Sequence, residues 1–196
     1  MTGPLPENPD RGDKREAILD AALTLFAERG FHGTAVPLVA ERAKVGAGTI
    51  YRYFENKEAL VNAVYRKWKH AFTAAVVETF PFDAPVREQF HALWTRIFGF
   101  AKDHPTALQF IELHHHAAYL DAESRALEEQ SLAPARALLD ETRRQQITKD
   151  VPSAVLIHIV WGAFTRLVKA AAEGQITLDA ETLGQAENCL WEAVRR

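Results

Sequence analysis

The sequence predicts an all-α protein of about nine helices, and three observations predict it. Apolar residues recur at helical spacing, as Ile18, Ala21, Ala22, Leu25 and Phe26 do at i, i+3, i+4, i+7 and i+8. Prolines and capping residues interrupt that pattern where helices would begin and end. No stretch alternates apolar and polar residues with the period of two that a half-buried strand requires. The chain has 196 residues, 47% hydrophobic and 25% charged, which is enough to bury one or two small cores.

Taken in order, residues 1–12 hold three prolines and two glycines and are expected to form a disordered arm. Asp13 and Glu16 have capping-box spacing and open the first helix, which Gly30 closes where a left-handed residue is wanted. Thr34 is expected to cap the next helix, with Pro37 in its first turn. Lys44-Val45-Gly46 then turn the chain into a short second helix, Ala47–Tyr53. Asn56 caps a third, expected to run to about Thr79 and ended by Pro81.

Pro85 opens a helix to about Asp103, and Pro105 opens one carrying Phe110–Tyr119. Asp121 starts another, with a kink expected near Pro134. Pro152 opens a helix ended by Gly174, and Asp179 caps the last. The expected division is the arm, a three-helix N-terminal domain (13–56) and a larger helical domain (57–196), with 57–79 as linking helix.

Net charge is −3, which argues at first against a nucleic-acid partner. Residues 1–70, however, hold 11 Lys and Arg against 9 Asp and Glu, whereas the rest hold 12 against 17. The mild basic surplus lies on the segment with two short helices around a Gly-containing turn, a helix-turn-helix pattern whose second helix suits a DNA major groove. Thr34 and Thr49 offer hydroxyls to phosphates, Tyr51 and Tyr53 offer phenolic groups, and Lys57 an ammonium at a helix N-terminus. Ala47, Gly48, Thr49 and Arg52 are small or polar enough to approach base edges, and Arg52 has the fork geometry for guanine.

The run Gly-Thr-Ile-Tyr-Arg-Tyr-Phe-Glu-Asn-Lys-Glu-Ala-Leu (48–60) resembles the recognition helix and following segment of TetR-family transcriptional regulators. The resemblance is strong over residues 14–60 and architectural beyond. It implies a homodimer on a double-stranded DNA operator, with backbone contacts from Thr49, Tyr51, Tyr53, Lys57 and Thr34. Two positions depart from the family. Lys44 stands where Gly is usual, so a left-handed residue there costs about 1 kcal/mol, which a phosphate contact would offset. Gly46 stands where Ser is favoured, which removes a side-chain cap.

A small helix-turn-helix makes few contacts, so two-fold pairing on two half-sites is expected. Trp161–Val168 and Leu183–Val194 are the candidate pairing helices, through Gly162, Phe164, Leu167, Leu190 and Trp191, or else these residues form an ordinary intrachain core. The resemblance also implies a small-molecule effector in a pocket lined by Trp94, Phe98, Phe110, His114, Trp161 and Phe164. Cys189, the single cysteine, is read as a buried small residue and excludes an intrachain disulfide.

His114-His115-His116 cannot converge on one metal, because adjacent helical residues point about 100° apart. Glu88 with His91, and Glu112 with His115, have the spacing of di-iron carboxylate bundles, which keeps an enzyme of that type as the alternative. Otherwise no catalytic constellation, cofactor motif or metal site is expected. No apolar run is read as long enough to cross a bilayer, and no apolar signal segment is read at the N-terminus. A cytoplasmic protein with no membrane partner is expected.

Overall fold

The computed structural model describes residues 9–113 and 118–196; the arm over residues 1–8 and the His114–His116 run lie outside them. Among the described residues nine helices form in order: α1 (Pro9–Gly33), α2 (Val36–Arg42), α3 (Ala47–Ile50), α4 (Lys57–Val77), α5 (Val86–Asp103), α6 (Pro105–Leu113), α7 (Ala122–Arg144), α8 (Ser153–Ala172) and α9 (Ala180–Val194). The only extended pairing among them is an isolated bridge between Thr148 and Arg195. The all-α architecture is as expected.

Local chemistry explains most boundaries. Asn56 Oδ1 accepts from the Ala59 N–H at 2.7 Å at the start of α4. Asp121 accepts from Ser124 N–H (2.8 Å) before α7, and Asp179 from Thr182 N–H (2.8 Å) before α9. Pro85 and Pro152 stand at the N-caps of α5 and α8. At Gly30 (φ 67°, ψ 178°) α1 breaks, leaving Phe31–Gly33 as a separate turn. Three expectations shift. Helix α1 begins at Pro9, so residues 9–12 are helical instead of belonging to the arm. Helix α6, expected to carry Phe110–Tyr119, is helical only to Leu113 among the described residues, and residues 118–119 form a turn. Helix α3 closes at Ile50, because the N–H groups of Arg52 and Tyr53 bond three residues back, to Thr49 and Ile50.

Contacts gather the chain into two compact units, residues up to His70 with Pro105–Arg125, and Ala71–His104 with Ala126–Arg196. The first therefore includes α6, which packs on α1: Phe110 lies 6.1 Å from Phe26, and Gln109 donates to the Ala27 carbonyl at 3.1 Å. Its core is Ile18, Leu19, Phe26, Val39, Ile50, Leu60 and Val64. Asn62 ties α4 to the segment before α7, donating to the Tyr119 carbonyl (2.8 Å) and accepting from Asp121 N–H (2.9 Å).

In the second unit, Arg96 gathers the carbonyls of Val76 (3.0 Å) and Thr79 (2.8 Å) at the end of α4. Phe98 and Phe164 meet edge to face at 4.9 Å. Glu187 of α9 is buried and is held by Arg87 and by His91 Nδ1 at 2.8 Å. Helix α8 corrects the bilayer expectation: its 20 residues are long and apolar enough to cross a membrane by length and composition, although Arg166 and Lys169 interrupt them. Only 17% of its most apolar window is buried, and Val155 and Ile159 stand exposed. Cys189 is also exposed, because it falls on the solvent side of α9.

Burial pushes the Asp121 carboxyl up, but the Ser124 N–H and hydroxyl and the Arg66 guanidinium (2.8 Å) together pull it below its ordinary value. A depressed carboxylate contributes stability above its unfolded value that is lost as pH falls through the folded one. Asp121→Asn should therefore lower Tm at neutral pH, and the gap to wild type should close as the pH is taken below the ordinary carboxylate range. Thermal unfolding followed by circular dichroism across that range checks this.

Candidate nucleic-acid interface

Helix α2 ends in a motif that sets the turn. The Val45 N–H bonds the Ala40 carbonyl (2.9 Å) and the Lys44 N–H bonds that of Glu41 (3.1 Å), with Lys44 at φ 56°. This is the Schellman arrangement, with Lys in the left-handed position that Gly usually takes. The departure read from the sequence is thus realised as backbone strain, and it leaves the Lys44 side chain exposed.

Gly46 precedes α3 without a side-chain cap, as expected. One turn of helix then presents two opposed faces. Ile50 (1% exposed) and Phe54 (5%) anchor it in the core formed with Val36, Val39 and Ala40. Ala47, Gly48, Tyr51 and Arg52 stand exposed on the other side, with Thr49 and Tyr53 half-buried. No ion pair holds Lys44 or Arg52 among the described residues, so both cations remain available to an anionic partner. Ile50 escaped sequence reasoning as an anchor; its place between Thr49 and Tyr51, one turn before Phe54, was the available signal.

Two expected contacts take different roles. Thr34 is fully buried, and its hydroxyl lies 3.0 Å from the Leu25 carbonyl and 2.9 Å from that of Gly30. It caps α1 backwards; the N-cap of α2 is Ala35, without a side-chain bond. A buried hydroxyl cannot reach a phosphate, so Thr34 positions the motif without touching DNA. Lys57 Nζ donates to the carbonyls of Phe31 (2.7 Å) and Thr34 (2.9 Å) and sits 4.1 Å from the centre of the Phe31 ring. Two of its three donors are used within the chain, and one is left.

The other candidate residues scatter. Phe110 is core of the first unit, and His114 lies outside the described residues. Trp94 and Phe98 line one cleft of about 520 Å³, whereas Trp161 lines a separate apolar cavity of about 160 Å³. Phe164 is fully buried against Phe98, so it cannot also face a second chain. Trp191 packs on Phe90 at 5.6 Å and lines the apolar cavity, while Leu167 and Leu190 are half-buried. Gly162 is exposed, in line with Val155 and Ile159, which sequence reasoning missed because α8 is apolar on nearly every side.

The di-iron pairs do not assemble among the described residues. Glu88 is exposed, His91 is taken by Glu187, and Glu112 lies 3.8 Å from buried Lys69. His115 lies outside the described residues. No group of three or more potential metal ligands occurs among them.

An all-helical chain that presents a short anchored helix after a tight turn is a helix-turn-helix protein. Residues 18–64 match the family described as bacterial regulatory proteins of the tetR family, and residues 65–196 match the tetracyclin repressor-like C-terminal domain. The chain belongs to the TetR family of DNA-binding transcriptional regulators.

It is 33% identical over 96 residues to an uncharacterized HTH-type transcriptional regulator of Haemophilus influenzae, covering 49% of this chain and 51% of that one. It is 36% identical over 63 residues to the HTH-type transcriptional repressor KstR2 of Rhodococcus jostii, covering 32% and 31%. The chain thus spans about half the length, or less, of these curated relatives. A TetR-family regulator from Marinobacter aquaeolei superposes with a TM-score of 0.86 at 26% identity, covering 95% of this chain and 97% of that one.

Thr34→Val should cost about 1–2 kcal/mol in urea unfolding, because the Leu25 and Gly30 carbonyls lose the single hydroxyl proton they share, and Thr34→Ser should retain most of that stability. Neither change should alter the salt dependence of DNA binding. A slope reduced by about one unit in Thr34→Val would instead mean a lost phosphate contact.

Proposed function

We propose that the protein is a ligand-responsive repressor that binds a palindromic operator as a homodimer in the cytoplasm, with no catalytic role. The observation that carries this reading is the two-faced segment of α3 and the turn after it, with Ile50 and Phe54 locked in the core and Ala47, Gly48, Tyr51 and Arg52 exposed. Arg52 reads a guanine edge, while Lys44, Thr49, Tyr51, Tyr53 and the remaining donor of Lys57 take phosphates. That one relative is named a repressor supports the sign of regulation.

Pairing uses α8. Val155, Ile159 and Gly162 fall at i, i+4 and i+7 and form an exposed apolar stripe of the kind a second copy would cover. Arg166 continues the stripe with a charge, which suits a protein partner better than a hydrocarbon interior. Leu167 and Leu190 extend the contact. An effector bound in the second unit, with Trp161 among its contacts, favours one arrangement of the pair. A coupling of about 1–3 kcal/mol then changes operator affinity roughly 5- to 150-fold.

Selection of random double-stranded DNA should enrich a palindrome with half-sites about one helical turn apart. Absence of enrichment by folded, dimeric protein would overturn the reading. Arg52→Ala should lose discrimination at one base position, while Lys44→Gly should reduce the salt slope by about one unit. Lys44→Gly should shift stability little, since relief of about 1 kcal/mol of strain is offset by glycine's freedom in the unfolded chain. Ile159→Asp should sediment as a folded monomer with weakened operator binding.

A further inference from the structure

The second unit holds an apolar cavity of about 160 Å³. Folded interiors leave few spaces larger than one water molecule, so a space of this size stands apart from ordinary packing. Its walls include the large side chains Phe72, Phe80, Phe90, Trp161 and Trp191, so it does not arise from a run of small residues. No charged side chain lines it among the described residues.

The polar groups of the lining are turned to the chain itself. The Ser131 hydroxyl donates to the Glu128 carbonyl (2.7 Å), and the Thr142 and Thr148 hydroxyls pair at 3.2 Å. Gln89 Nε2 donates to the carbonyls of Phe82 (2.9 Å) and Ala84 (2.7 Å), and its Oε1 is wholly buried, so it does not face the open space. The two indoles bring N–H groups but no charge. A neighbouring open cleft shares Val86, Leu138 and Trp191 with the cavity and carries Asp83, Arg87 and Glu141. Arg87 is held there by Glu187 and Asn188, Glu141 by Arg144 and Gln145, and Asp83 stands exposed. A charged group in the cavity would therefore give up its hydration and find no opposite charge in the lining.

The cavity also touches the helix proposed to pair. Leu156, Ile157, Val160 and Trp161 line it from α8. At about 100° per residue they lie on the side opposite Val155, Ile159 and Gly162. Occupancy of the cavity and pairing of two chains thus act on one helix.

We propose that this cavity binds a small, uncharged, apolar molecule of single-ring size, an aromatic hydrocarbon in chemical class. The size fits, since an apolar cavity of about 150 Å³ holds benzene. This assignment rests on the reading of the second unit as effector-binding, and it narrows the effector to a neutral apolar compound.

Isothermal titration of the full chain with toluene, benzoate and benzylamine at neutral pH tests it without DNA, because the three share one ring and differ in charge. Toluene should bind, and the benzoate anion and benzylammonium cation should each bind at least about a hundredfold more weakly. Ala135→Phe, which fills the space from α7, should abolish toluene binding in protein that thermal unfolding shows to be folded. Where that variant fails to fold, the wild-type charge series decides alone. Either ion binding as tightly as toluene, unchanged toluene binding in folded Ala135→Phe, or no binding of toluene would overturn the proposal. Adding the same probes to the operator complex separates the two readings. Toluene binding without operator release upholds the site and removes its effector role, whereas release by either ion with toluene unbound keeps an effector and overturns this ligand class.

Discussion

The break in α1 at Gly30 turns the chain into the helix-turn-helix, and the carbonyls around that break must be held. Thr34 and Lys57 do this from opposite directions. The Thr34 hydroxyl reaches back to Leu25 and Gly30, and the Lys57 ammonium reaches Phe31 and Thr34 from the first turn of α4. The two residues share the Thr34 backbone, so α1, the loop before α2 and the start of α4 are fastened at one point. Phe31 extends the clasp, with Lys57 over its ring and Tyr119 stacked at 4.3 Å. The pose of α3 depends on that fastening, because α3 is one turn long and has only Ile50 and Phe54 to anchor it.

Features that rest on local chemistry were legible in the sequence. The caps at Asn56, Asp121 and Asp179 and the break at Gly30 each follow from one residue type at one position, whereas the strain at Lys44 follows only from the resemblance to a family with Gly there. Thr34 shows where this stops. A threonine before a proline-bearing helix satisfies the rule for a forward cap, yet its hydroxyl found carbonyls behind it, brought near by the turn at Phe31–Gly33. Direction is a tertiary fact, because both sets of partners lie within reach and only the folded loop selects one.

The same reasoning separates α8 from α3. Periodicity finds a face only when the other face is polar, and α8 offers apolar residues all round, so Phe164 and Ile159 look alike in sequence. In the fold one is completely buried and the other 44% exposed. Glu88-x-x-His91 fails as a metal pair for a related reason. Spacing places two side chains on one helix, but the partner of His91 is Glu187, which comes from α9 and shares its carboxylate with Arg87. A buried carboxylate with two such partners serves the packing of α5 on α9 and leaves no ligand set.

The smallness of α3 and the exposure of α8 belong to one energetic argument. A single well-made bidentate base contact is worth about 1–3 kcal/mol, and the segment from α3 through the turn after it has one side chain, Arg52, able to make it. Specific operators are typically held at about 10⁻⁸ to 10⁻¹¹ M, which corresponds to roughly 11–15 kcal/mol. One head of this size falls short even with its phosphate contacts, whereas two heads held at a fixed spacing engage the second half-site at high effective concentration. That gain exists only if the two chains are joined through a surface that does not compete with the recognition helix. The apolar stripe of Val155, Ile159 and Gly162 belongs to the second unit and uses none of the residues that build the helix-turn-helix.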